Sequence, residues 1–197
     1  VAPGRYTLTL TAAGQELTRP FEVVRDPGMT TTDEDLRLGT AMQREVVASI
    51  DEVVGYIDRI EAIRARVEDL RAEHAGDPEL DRALAGVYRE MYETELHFLS
   101  RTTMHSDDKW YVEKYRLYLD LVWLLAELGG GGGDVGGGVA YRPTDTSREV
   151  YAGFLQELEV ARVAVDELME RVAAFNREHT GELPPITDDA PSPPGAP

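Results

Sequence analysis

The sequence predicts a mainly α protein: an elongated antiparallel bundle of three to four long helices, preceded by a β-hairpin from the end of a sandwich. Three observations carry that expectation. The apolar period changes from two to about 3.6 after Asp26-Pro27-Gly28, which marks strand giving way to helix. Beyond that point apolar residues recur at steps of three and four, interrupted by clusters of capping residues and glycine, the punctuation of successive helices. The hairpin carries only two strands, too few to stand alone in water.

In Arg5-Tyr6-Thr7-Leu8-Thr9-Leu10-Thr11, Tyr6, Leu8 and Leu10 alternate with polar residues and so share one face of a pleated strand. Gly14 marks the reversal. The return over 16–24 places Phe21 and Val23 on one face, while Pro20 lacks a ladder donor and points to an edge or a bulge. Residues 1–28 therefore form a unit that needs either earlier strands before Val1 or the helices to cover it.

The helical region spans 29–182. Thr30-Thr31-Thr32-Asp33 offers N-caps, and Asp33, Glu34 and Asp35 place negative charge at the positive end of a helix dipole. The first helix continues to about residue 74, with Val46, Ile50, Val53, Ile57 and Ile60 as a narrow seam. Some forty residues at about 1.5 Å each give a rod of about 60 Å. Gly76 and Asp77-Pro78 stop it and start the next, Pro78 standing at the first helical position. Leu80, Leu84, Val87, Tyr88, Met91 and Phe98 line the second helix, which weakens into a loop or kink over 100–108.

A third helix is expected over 110–128, the best-buried element, rich in Trp110, Tyr111, Tyr115, Tyr118 and Trp123. Residues 129–138 contain eight glycines, broken by Asp134 and Val135. They lack the Lys-Ser/Thr of a phosphate loop and the preceding strand of a dinucleotide fingerprint, so the Gly-rich loop 129–140 is expected to be a flexible linker. Pro143-Thr144-Asp145-Thr146-Ser147 caps a last helix ending near residue 180. Its seam is Tyr151, Phe154, Leu158, Ala161, Val165, Leu168, Val172 and Phe175, a strict alternation of threes and fours. The tail 183–197 holds six prolines and is expected to be extended or disordered.

Composition excludes several functions. Among 197 residues, thirty-seven acids against twenty bases give a formal charge of -17, which repels phosphate backbones and anionic lipid; nucleic acid is not a partner. With no cysteine, disulfides, thiolate metal sites and cysteine nucleophiles are absent. The longest apolar candidate, 117–128, is interrupted by Asp120 and Glu127 and falls short of the roughly 20 residues of a membrane span; the chain is expected to be soluble. Val1 follows no start methionine and is taken as a cut. Asp58, Arg59, Glu61, Arg64, Arg66, Glu68 and Arg71 alternate in sign as a solvated helix face does.

Catalytic patterns find no support. His97 lies one turn after Glu93, and His105 lies near Asp107 and Asp108, but a di-iron bundle needs Glu-x-x-His on two helices. The residue three before His97 is Thr94, and the last helix has no histidine before His179. Asp107 and Asp108 lack an Asp-x-Asp-x-Asp-Gly spacing and read as a helix cap. Ser100, Ser106 and Ser147 lie in no Gly-x-Ser-x-Gly elbow. Acids are too numerous for a glycosidase pair to be singled out. No catalytic, cofactor-binding or metal residue is assigned, and no cofactor is expected. Core packing is the first account of the third helix's aromatics; Trp110, Tyr111, Tyr115 and Tyr118 are the candidate partner surface if one face cannot bury them all.

The stretch Ala2-Pro3-Gly4-Arg5-Tyr6-Thr7-Leu8-Thr9-Leu10, then Phe21-Glu22-Val23-Val24-Arg25-Asp26-Pro27-Gly28, resembles a junction near the C-terminal end of bacterial exported BNR-repeat, sortilin-like β-propeller proteins, often labelled glycosyl hydrolases. Gly133-Asp134-Val135, Tyr141-Arg142-Pro143-Thr144-Asp145 and Phe175-Asn176 are similar to the end of that family. The resemblance covers most of residues 1–186. It implies an immunoglobulin-like last hairpin, a helical C-terminal domain, a missing propeller and a periplasmic or extracellular location. The family's Ser-x-Asp-x-Gly-x-x-Trp repeats occur nowhere in the chain, so hydrolase chemistry has no residue here to carry it. The expected function is a noncatalytic scaffold or protein-interaction module, its partner a protein or the upstream propeller. The alternative is an accessory domain of a glycoside hydrolase whose active site lies in that propeller. A third expectation is loose binding of divalent cations or a basic partner by the acidic surface.

Overall fold

A computed structural model describes residues 1–100, 113–130 and 141–189. The protein is mainly α, an N-terminal β-hairpin followed by four helices. The hairpin pairs β1 (Gly4–Ala12) with β2 (Gln15–Val23). The helices are α1 (Asp33–Glu73), α2 (Pro78–Glu95), α3 (Leu117–Leu125) and α4 (Asp145–Glu178), and α3 runs into a π-helical turn, Ala126–Gly130.

Helix starts follow local chemistry. The Thr32 hydroxyl accepts from the Asp35 N–H at 3.1 Å and donates to the Asp35 carboxylate at 2.6 Å, closing a box at the head of α1. Before α2, Gly76 adopts φ 106°, and the Asp77 carboxylate accepts from the N–H groups of Glu79 and Leu80, both at 3.0 Å. Those two backbone donors hold the Asp77 carboxyl below its ordinary range. At α4 the Thr144 hydroxyl accepts from the Ser147 N–H at 3.0 Å.

The chain divides into two compact units, one of residues 1–48 and 123–151, the other of 49–122 and 152–197. In the first, β1 and β2 are antiparallel and in register, with Tyr6 opposite Phe21, Leu8 opposite Arg19 and Leu10 opposite Leu17. Tyr6 and Phe21 stack at 5.7 Å. No hairpin residue is buried; the buried apolar residues of this unit, Met42, Val46, Leu124, Ala126, Leu128 and Tyr151, all belong to the helical region. Arg25 joins the hairpin to α1 by donating to the carbonyls of Met29 and Thr31, at 3.0 and 2.7 Å, and pairing with Asp33 at 3.3 Å. Gly39 is buried, and a Cβ there would stand 3.4 Å from the Tyr141 carbonyl oxygen, so a small residue lets the segment before α4 pass close to α1. The Gln43 amide donates to the Leu128 carbonyl.

In the second unit, Arg71 pairs with Asp81 near the turn at 3.0 Å, and Arg64 pairs with Glu95 farther from it at 2.5 Å, the order an antiparallel α1–α2 pair requires. The core is aliphatic: Val53, Ile60, Ile63, Val67 and Leu70 from α1, Leu84, Val87 and Met91 from α2, and Leu158, Ala161, Val165 and Leu168 from α4, with Phe98 and Leu121.

The seam of α4 matches expectation except that Phe154 is half-buried. Helix α1 departs further. Val46, Val53, Ile60 and Val67 recur every seven residues and are fully buried, but the second column is Met42, Ser49, Ile63 and Leu70, with Ile50 and Ile57 half-buried. A column seven apart from Ile63 passes through Tyr56 and Ser49, so geometry buries Ser49 ahead of the more apolar Ile50.

One further expectation is corrected. Residues 113–116 are not helical, so the third helix starts at Leu117 and not at 110; the Tyr118 N–H is already bonded to the Phe98 carbonyl at 3.2 Å, tying the start of α3 to the end of α2. Within the tail, residues 183–189 lie outside the named helices and strands and Ile186 is buried, while 190–197 lie outside the described residues.

Candidate functional site

Two of the four aromatics expected to form a partner surface, Trp110 and Tyr111, lie outside the described residues. Tyr115, in the irregular segment before α3, and Tyr118, in its first turn, are half-buried, and Trp123 is exposed. Leu117, Leu121 and Leu124 take the inward positions of α3. Leucines, not aromatics, bury this helix, and the rings stand at its margin.

A polar cleft of about 380 Å³ lies between α2 and α4 in the second unit. It brings together Glu93 and His97, the pair one helical turn apart in sequence, with Arg89 and Glu90 on the same side and Glu167 and Arg171 across from them. A Cβ at Gly86 would meet the Arg171 guanidinium at 2.7 Å, so glycine lets that side chain lie against α2 in its present place. Arg171 reaches Glu90 at 3.8 Å. The Thr94 hydroxyl donates to the Glu90 carbonyl at 2.8 Å and lies 3.5 Å from the Ala164 carbonyl. The lining alternates in sign, so it presents ion-pair partners to a polar chain or a small zwitterion and no field of one charge. Sequence spacing identified Glu93 and His97 alone; Glu167 and Arg171, seventy residues away, carried no signal of their own.

A second polar cluster links α1 to α4. Arg162 donates to both oxygens of Glu52, at 2.7 and 2.8 Å, and to Glu159 at 2.7 Å, while the Tyr56 hydroxyl donates to Glu52 at 3.0 Å. The bond from Arg162 outweighs burial and holds the Glu52 carboxyl below its ordinary range. Burial and the same carboxylate raise the Tyr56 phenol, and the two carboxylates raise the Arg162 guanidinium. The Tyr56 ring stacks on Phe98 at 5.6 Å, which fits its place in the α1 seam.

A third cluster lines a cavity of about 230 Å³ with Arg64, Tyr88, Tyr92, Glu95, Leu96, Leu99 and Ser100. Burial works to lower the Arg64 guanidinium, but the hydrogen bond and charge of Glu95 prevail and raise it. Glu95 is buried, with Oε1 left without a hydrogen-bond partner. Asp120 on α3 is pushed up by burial and by Glu157, against the pull of Arg116.

Among the described residues no three His, Asp or Glu side chains lie close enough to hold a metal ion, and no helix is long and apolar enough to cross a membrane. His105, Asp107 and Asp108 lie outside the described residues. The Arg162–Glu52 and Arg64–Glu95 pairs tie α4 and α2 to α1. No protein-family model matches the chain, and neither does a curated protein or a solved structure.

Proposed function

We propose that this chain is a noncatalytic scaffold or protein-interaction module, working as the C-terminal part of a larger exported propeller protein or as a subunit of an assembly. The observation that carries this reading is the hairpin. Register puts Tyr6, Leu8, Leu10, Leu17, Phe21 and Val23 on one face, and Leu8, Leu10 and Leu17 are 62%, 58% and 59% exposed. Among the described residues β1 and β2 pair only with each other, which leaves two open edges beside a bare apolar face. An isolated pair of strands is marginal in water, and an exposed patch of this kind marks a contact surface. Further strands of an immunoglobulin-like sandwich, supplied by an upstream segment or a partner, would cover it. The bonds of Arg162 to Glu52 and of Arg64 to Glu95 fit the same reading, since those two acids are used in holding helices together.

The test is association. Native mass spectrometry of the chain mixed with the full-length parent should give a complex, or the chain within the parent should show the hairpin amides protected from exchange. Replacing Leu8 and Leu10 by serine should weaken either signal at least tenfold without lowering helix content. Unchanged association in that variant, or a strict monomer with the parent present at high concentration, would refute the reading. Glycosidase activity found in the parent alone would favour an accessory role beside a distant active site.

A further inference from the structure

Residues 183–189 lie on the helices of their own unit as a bound peptide lies in a groove. Beyond the turn, where the Leu183 N–H bonds the His179 carbonyl at 3.1 Å, three contacts hold them. The Asn176 side chain, on α4, pairs with one residue's backbone at both ends: its Oδ1 accepts from the Ile186 N–H and its Nδ2 donates to the Ile186 carbonyl, each at 2.8 Å. The Ile186 side chain is buried to 2% exposure. Two places on, Asp188 accepts from Arg59 of α1 at 2.6 Å. The preceding Pro184 and Pro185 are exposed, and their rings preset the extended backbone the contacts need.

These contacts divide as recognition of an extended peptide divides: backbone bonds supply part of the affinity, and alternate side chains supply selectivity. An amide of Asn176 stands in for a neighbouring strand, an apolar pocket takes the aliphatic anchor, and a guanidinium reads the acid. None of the three uses the covalent link to α4. That link is itself loosely filled. Gly181 turns the chain at φ 84°, and a cavity of about 180 Å³ remains between Phe175, His179 and residues 183–185. The His179 Nε2 beside it is buried without a hydrogen-bond partner.

We infer that this groove is a peptide-recognition site for an extended Pro-Ile-x-Asp segment, filled in cis by the chain's own residues 185–188 and open to such a segment in trans when that strap lifts. The inference is independent of the hairpin reading, because every residue it uses lies in the second unit. The strap then acts as a built-in competitor, and its short tether gives it an effective concentration in the millimolar range.

The test uses the full chain with Ile186→Ser, which removes the anchor and leaves the groove, titrated with a labelled peptide of the sequence LPPITDD. Saturable binding is expected, at least about tenfold tighter than to the unsubstituted chain, where the tethered strap competes. Adding Asn176→Ala should abolish it. No saturable binding, or equal binding to the unsubstituted chain and the Asn176→Ala chain, would overturn the proposal. Should Ile186→Ser lose helix content, the Asp188→Ala chain takes its place with the same expectations. Hydrogen exchange on the unsubstituted chain gives a separate check: the Ile186 amide should exchange at least about a hundredfold faster than the Leu168 amide, through local opening. If both exchange only at the rate of global unfolding, the strap never lifts and the groove serves no partner.

Discussion

Helix α4 and the hairpin β1–β2 both place apolar residues at the period of their own secondary structure. Leu158, Ala161, Val165 and Leu168 are at most 1% exposed, whereas the leucines of the hairpin keep more than half their surface in water. The difference lies in what stands opposite. Helix α4 meets α2 and α1 in its unit, at Thr94–Ala164 and at Arg162–Glu52. Two strands form a single layer, and a single layer has nothing of its own to close against. Regular patterning thus specifies a face, while burial requires a second surface supplied from elsewhere in the chain or from another molecule.

The comparison breaks most visibly under truncation of side chains. Leu168→Ala should destabilise the protein by about 2–5 kcal/mol, the cost of lost burial and a residual cavity. Leu10→Ala should stay within about 0.5 kcal/mol, as exposed sites do. Urea unfolding followed by circular dichroism measures both. A large loss at Leu10 would mean the hairpin face is covered within the isolated chain.

A second contrast concerns arginines. Arg64 neutralises the buried Glu95, whereas Arg19 shares the hairpin face in the open. Arg64→Met should cost about 2–3 kcal/mol, because it strands a buried carboxylate; Arg19→Met should cost almost nothing. Pairing Arg64→Met with Glu95→Leu should restore most of the loss, as a double-mutant cycle would show.

The smallest effects are those of pH within the helices. Glu52 has a depressed folded value, so its stabilisation is present above the unfolded value and disappears as pH falls through the folded one. Asp120 has a raised folded value, so it favours the fold below its unfolded value and loses that contribution as pH rises through the folded one. At pH 7, Glu52→Gln should therefore lower the stability and Asp120→Asn should raise it, each by less than about 1 kcal/mol because both groups are partly solvated. Both differences should vanish toward pH 2. Thermal unfolding across pH 2–7 checks the signs, and a destabilising Asp120→Asn at pH 7 would show that its carboxylate is held by a bond that outweighs burial.

The legibility of the fold followed the range of the forces involved. Thr32, Asp77 and Thr144 cap helices through contacts two or three residues away, so the starts of α1, α2 and α4 could be read directly. Ser49 could not: its inward place on α1 comes from a sevenfold column continuous with Ile63 and Leu70, against the stronger hydrophobicity of Ile50. Tyr118 is drawn into the start of α3 by the Phe98 carbonyl, a contact with no local trace. The polar cleft was half visible, in the Glu93–His97 spacing, and half hidden, in Glu167 and Arg171. The six prolines of the tail predict extended or disordered chain, but the pairing of Ile186 with Asn176 and of Asp188 with Arg59 carried no local signal.

Period, caps, helix termini, acidic charge and the lack of thiol chemistry are consequences of neighbouring residues and of composition, and they belong to the amino-acid order whatever the chain packs against. Which flank of α1 turns inward, the docking of Ile186 and the exposure of the hairpin leucines belong to the assembled molecule. Each depends on surfaces far apart in the chain, and the energy of burial exists only once two such surfaces have excluded water between them.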